Sequence, residues 1–168
     1  MRLFLVGAAA PCDARIVART MVGETEAFAP LWSEAYVLAL PAHHPLRLKP
    51  NLSLADLEGL PLIGRCNCEN ADQTSDLGFK PQIVAVATTE EWALALVEAG
   101  VGATVLPEGV VAPNARLAIR PLAGLGLRRE VGVAYPQADA GSPAVARILA
   151  AAGLASPPRH AATGRRAA

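Results

Sequence analysis

Apolar positions along this chain come in short bursts, most of them too brief for a helix and closed by proline or glycine. DARIVA (Asp13–Ala18) has the length of a short strand. AYVLAL (Ala35–Leu40) is apolar throughout and stops at Pro41, as a buried strand does. An apolar strand resumes at Pro61–Gly64, and QIVAVA (Gln82–Ala87) predicts another. Gly102–Leu106 is a short buried run stopped by Pro107, and Leu117–Ile119 and Glu130–Tyr135 add two more.

Helix signals lie between these bursts. Ser53, with Asp56 three residues on, forms a capping-box pattern for a short helix through Glu58 ended by Gly59. Glu69–Asp76 is polar and reads as one or two helical turns stopped at Gly78. The clearest helix begins at Thr88, where Glu91 completes a capping box; Trp92, Leu94, Leu96 and Val97 mark its apolar faces and Gly100 ends it. A last helix takes Ser142 as its cap and Pro143 as its first residue and runs to about Ala152. Strands and helices alternating at short spacing predict an α/β class with a parallel or mixed sheet. From Ala155 onward periodicity is lost, and a disordered tail is expected over 155–168.

Composition narrows the function classes. The chain has 168 residues, 52% apolar and 18% charged, with 15 basic against 15 acidic residues. That length allows a domain with its own core, and the even charge balance argues against a basic nucleic-acid binder. The N-terminal MRLFLVGAAAPC imitates a secretory signal, but its apolar run Leu3–Ala10 is short for one and far too short to span a bilayer. Cys12, Cys66 and Cys68 are an odd number and too few for a disulfide framework, which favours a reducing compartment and a cytoplasmic location.

The order of these pieces resembles the effector-binding half of LysR-type transcriptional regulators. The stretch LWSEAYVLALPAHHPL followed by SLADLEGLPLI resembles the family's strand ending in proline, its "HPL" corner, its short "dL" helix and the strand after it. WALALVEAGVGATVLPEGV (Trp92–Val110) resembles the family's helix, glycine turn and strand, and DARIVA resembles the strand that precedes the crossover. The resemblance implies a periplasmic-binding-protein-like fold of type 2, in which two α/β subdomains joined by crossover strands hold a small molecule. On that pattern residues 1–12 are a frayed leader and 13–154 the effector-binding domain. The second subdomain spans about 35–130 and is complete, while 13–34 and 131–154 are remnants of the first. A winged helix-turn-helix and most of the first subdomain are expected to be missing, so the chain is read as N-terminally truncated, without direct nucleic-acid or membrane binding. It could equally be the product of a gene fragment.

The candidate chemistry is sparse. His43 and His44 precede Pro45, which sets an extended corner, and a metal site there lacks further ligands. Cys66-Asn67-Cys68 lacks a second ligand pair, and its spacing is too tight for an unstrained disulfide. Some relatives in the resembled family sense oxidants through cysteine, which leaves a redox role open. RCNCEN follows the carboxyl end of the Pro61–Gly64 strand, where ligands of open α/β sheets collect. The expected ligand-binding residues are therefore Arg65, Cys66, Asn67 and Cys68, with Thr88 and Thr89 at the neighbouring helix start and Thr104 on the following strand. Arg65 suits a carboxylate, yet equally suits a surface pair with Glu69, and the threonines also suit plain capping. No nucleophile elbow, phosphate loop or carboxylate pair suggests an enzyme, and no cofactor or metal is expected. The function expected is a small-molecule effector sensor. The alternatives are an interaction module that pairs with a full-length relative and a solute-binding fragment. Association as a homodimer or with such a relative is expected because loss of most of the first subdomain uncovers apolar faces of the crossover strands and of the Ser142–Ala152 helix, where Val145, Ile148 and Leu149 occur at helical spacing.

Overall fold

The computed structural model describes residues 11–66, 80–111, 115–123 and 127–154. The strands are β1 (Arg15–Ala18), β2 (Glu26–Pro41), β3 (Leu52–Ser53), β4 (Pro61–Arg65), β5 (Gln82–Ala87), β6 (Thr104–Pro107), β7 (Leu117–Ala123) and β8 (Arg128–Pro136). Helix α1 (Glu90–Glu98) lies between β5 and β6, and α2 (Pro143–Ala151) follows β8. The chain forms two units, Ser33–Arg129 and a second made of the segments on either side of it, so β2 and β8 each run from one unit into the other.

In the flanking unit, β1 pairs antiparallel with β8 from Arg15↔Ala134 to Ala18↔Val131. Val133 and Tyr135 alternate onto one face of β8 and pack against Val145 and Leu149 of α2, with Ala27, Ala29 and Leu31 of β2 beside them. Ser142 Oγ accepts from Val145 N at 3.2 Å, and Pro143 supplies the fixed φ of the first turn. Gly153, at φ +74°, ends the helix: its N–H reaches Ala150 O at 3.1 Å and Leu154 N–H reaches Leu149 O at 2.8 Å, a Schellman closure. Val145 and Leu149 are fully buried. The uncovered α2 face expected from the sequence is therefore filled within its own unit, and association loses that ground.

In the Ser33–Arg129 unit, the second half of β2 is central. It pairs antiparallel with β6 on one side (Tyr36↔Pro107 to Ala39↔Thr104) and with β7 on the other (Val37↔Pro121 to Pro41↔Leu117). β3 adds parallel to β7, and β4 and β5 form a parallel pair from Pro61↔Gln82 to Arg65↔Ala87. Ile63 N–H to Ala103 O at 2.7 Å and Ala103 N–H to Pro61 O at 2.8 Å join that pair to the lead-in of β6. Leu38 and Leu40 of β2 pack with Leu52, Leu57, Leu62 and Leu122, while Ile63 and Ala87 pack under Ala93 and Val97 of α1. Each such fully buried leucine or valine contributes about 1.5–3 kcal/mol.

Three sequence expectations are corrected. The strand read as Ala35–Leu40 is the inner part of a 16-residue strand whose first half, Glu26–Ser33, carries Pro30 among its apolar residues and lies beside β8 in the sheet. The α1 cap is Thr89, not Thr88, because the hydroxyl of Thr89 accepts from Trp92 N at 3.3 Å. That register turns Trp92 outward, 65% exposed, and turns Ala93 and Val97 inward. The Ser53 capping box is present, but it starts a single 3₁₀ turn, Leu54–Leu57. His44 sits at the expected corner, with Nδ1 accepting from Leu46 N at 3.2 Å at the start of the Pro45–Leu48 3₁₀ turn. Arg120 of β7 donates to the carbonyls of Leu46, Arg47, Lys49 and Pro50, which satisfies the backbone of that turn.

Candidate functional site

β4 and β5 run parallel, so their carboxyl ends lie together, and α1 starts three residues after β5 ends. Arg65 is the last residue of β4 and is directly paired with Ala87, the last of β5; the next N–H, of Cys66, extends the ladder to Ala87 O at 3.2 Å. This places the guanidinium of Arg65 beside the first turn of α1. Its Nη1 donates to Oε1 of Glu90 at 2.9 Å. The side chain of Arg65 is 7% exposed, whereas that of Glu90 is 35% exposed. A guanidinium on so buried a side chain needs acceptors, because an uncompensated buried charge costs several kcal/mol.

The remaining expected residues divide. Thr88 and Thr89 are both exposed at the start of α1. The Thr89 hydroxyl, besides capping the helix, holds the carboxyl of Glu91 below its ordinary value, helped by the backbone N–H of Glu91. Cys66 is an exposed free thiol next to Arg65. Thr104 is fully buried, and its Oγ1 donates to Ile63 O at 2.9 Å, fastening β6 to β4 two residues before Arg65. Gly102 is required one step earlier, because a Cβ there would stand 2.6 Å from Pro61 O. Asn67 and Cys68 lie outside the described residues, as do Glu69 and the short helix expected over Glu69–Asp76.

Two features escaped the sequence. Glu90 reads there as a dipole-friendly first-turn acid, with nothing to connect it to Arg65 25 residues earlier. The second is a carboxylate held inside the same unit. Glu34 of β2 accepts from Arg129 Nε at 2.7 Å and from Gly109 N at 2.6 Å, with side-chain exposures of 8% for Glu34 and 16% for Arg129. A polar residue amid an apolar strand was the available signal. Among the described residues no group of three or more His, Cys, Asp or Glu side chains could hold a metal ion, and no helix is long and apolar enough to cross a membrane.

Residues 13–154 match the LysR substrate binding domain family. The HTH-type transcriptional regulator AlsR of Bacillus subtilis (strain 168) is 35% identical over 88 residues, which is 45% of this chain and 27% of that protein. The probable hydrogen peroxide-inducible genes activator of Mycobacterium leprae (strain TN) is 31% identical over 148 residues, 81% of this chain and 47% of that protein. The chain thus spans less than half the length of either curated relative. Among solved structures, the reduced form of OxyR superposes with a TM-score of 0.69 at 30% identity, covering 84% of this chain and 68% of that one. The fold is accordingly the periplasmic-binding-protein-like α/β fold of type 2.

Proposed function

Because the chain belongs to the LysR substrate-binding domain family, the effector-sensing part of such regulators, we propose that it senses a small carboxylate-bearing effector received by Arg65. The observation that carries this reading is an arginine whose side chain is only 7% exposed at the carboxyl end of β4, beside the start of α1. Three physical terms favour an anion there: the charge of Arg65, its planar fork of donors, and the positive end of the α1 dipole. The exposed hydroxyl of Thr88 adds a neutral donor at the rim. Thr104 acts through Arg65 by fixing β6 to β4, and Asn67 and Cys68, next but one and next but two to Arg65 in the sequence, are kept as ligand candidates on sequence alone.

Calorimetry on a panel of small carboxylates tests the reading. Arg65→Ala is expected to weaken the best binder by about 1–3 kcal/mol, the range for losing a charged hydrogen bond. Unchanged affinity assigns Arg65 to the scaffold.

A second reading rests on Cys66, an exposed free thiol in a chain 31% identical to a protein described as a probable hydrogen peroxide-inducible genes activator. The thiolate sulfur would attack one peroxide oxygen, the O–O bond would break, and sulfenic acid and hydroxide would form. Mass spectrometry after peroxide and a sulfenate trap decides it: labelling at Cys66 that exceeds labelling at Cys12, which is also exposed, supports a sensor thiol, and equal labelling of both rejects it.

A further inference from the structure

The exposures of Arg65 and Glu90 are unequal, and the inequality says which partner can leave. Arg65, 7% exposed, has to remain paired. Glu90, 35% exposed and first in α1, can turn to water and still lie at the favourable end of the helix dipole. The pair at 2.9 Å therefore has one fixed member and one replaceable member. Resting on the carboxylate reading above, we infer that Glu90 is the resident occupant of the Arg65 anion seat, and that an effector carboxylate binds by exchange, displacing Glu90 from the guanidinium.

Exchange has consequences that simple addition lacks. The effector has to bring a negative charge, since a neutral ligand would leave Arg65 on Glu90 and gain nothing from it. The affinity is set by a difference between two carboxylates, so Glu90 tunes the concentration at which the domain responds. The released Glu90 also changes the charge presented at the first turn of α1, which marks the bound state at the protein surface.

Acetate is the probe, because it carries the carboxylate with no shape to be refused. Backbone amide shifts of Arg65, Cys66 and Glu90 in the full chain are followed by NMR during acetate titration at constant ionic strength, with chloride as the control anion. Glu90→Gln, which keeps size and an amide oxygen, is expected to bind acetate roughly three- to tenfold more tightly than the parent. Arg65→Gln in the Glu90→Gln background is expected to abolish saturation; if that variant loses the folded spectrum, Arg65→Lys replaces it and is expected to bind more weakly. Equal affinity of Glu90→Gln and parent, still dependent on Arg65, overturns the exchange and leaves the carboxylate reading standing. Absence of saturable shifts in every variant, or saturation indifferent to Arg65, overturns the carboxylate reading and the exchange with it.

Discussion

Two carboxylate–guanidinium pairs in the Ser33–Arg129 unit share a bond type and differ in almost everything else. At the pair of Glu34 and Arg129 the acid is buried and the base partly so, and the second carboxylate oxygen is taken by Gly109 N–H, so the acid is bound from two directions. At the pair of Arg65 and Glu90 the base is buried and the acid is a third exposed, on the first turn of a helix. The first arrangement suits a fixed strut between the start of β8, β2 and the turn after β6. The second suits a contact that opens. Burial of each partner separately, rather than the distance between them, distinguishes scaffold from site.

The comparison breaks most easily at Glu34. Glu34→Ala leaves Arg129 without this carboxylate and Gly109 N–H without its acceptor, so a loss of about 3–5 kcal/mol is expected in urea denaturation. Glu90→Gln keeps an amide oxygen near Arg65 and admits water from the exposed side, so about 1 kcal/mol is expected. Similar losses at both positions would erase the distinction.

A smaller effect sharpens the geometry under Glu90. Thr89→Ala removes the α1 cap and is expected to cost about 1 kcal/mol, whereas Thr88→Ala stays within about 0.5 kcal/mol. The reverse ranking would restore the cap to Thr88 and rotate Glu90 away from its place in the first turn.

The smallest effect uses a third pair, in the other unit, as a control. Hydrogen bonding from Arg15, helped by Gly23 N–H, lowers the carboxyl of Glu26 from 4.5 to about 2. A folded value below the unfolded one means this contribution is complete above about pH 4.5 and is lost as pH falls through about 2. Arg15→Gln is expected to flatten the dependence of the urea midpoint on pH across that window, a shift small enough to need paired titrations because Arg15 is well exposed. An unchanged slope would mean that Glu26 is held by the backbone alone.

What the sequence made legible was local. The Ser142–Pro143 start of α2, the glycine stop at Gly100 and the Ser53 box each depend on residues within four positions, and each stands where those residues put it. The slip from Thr88 to Thr89 has the same origin, since two adjacent threonines and two adjacent glutamates offer two registers and only packing of Ala93 and Val97 chooses between them. The outer half of β2 was illegible because Pro30 interrupts its apolar residues and reads against a strand, whereas β8 pairs with β2 in the sheet. The position of Arg65 at a strand's carboxyl end followed from the strand alone. Its partner did not, and neither did the Glu34–Arg129 pair, whose members stand 95 residues apart.

A crystal structure of the chain with a bound carboxylate is the most direct test. A carboxylate oxygen is expected about 2.8 Å from the Arg65 guanidinium, with the Glu90 side chain turned to solvent. A ligand bound elsewhere, with the 2.9 Å contact between Arg65 and Glu90 intact, would contradict it.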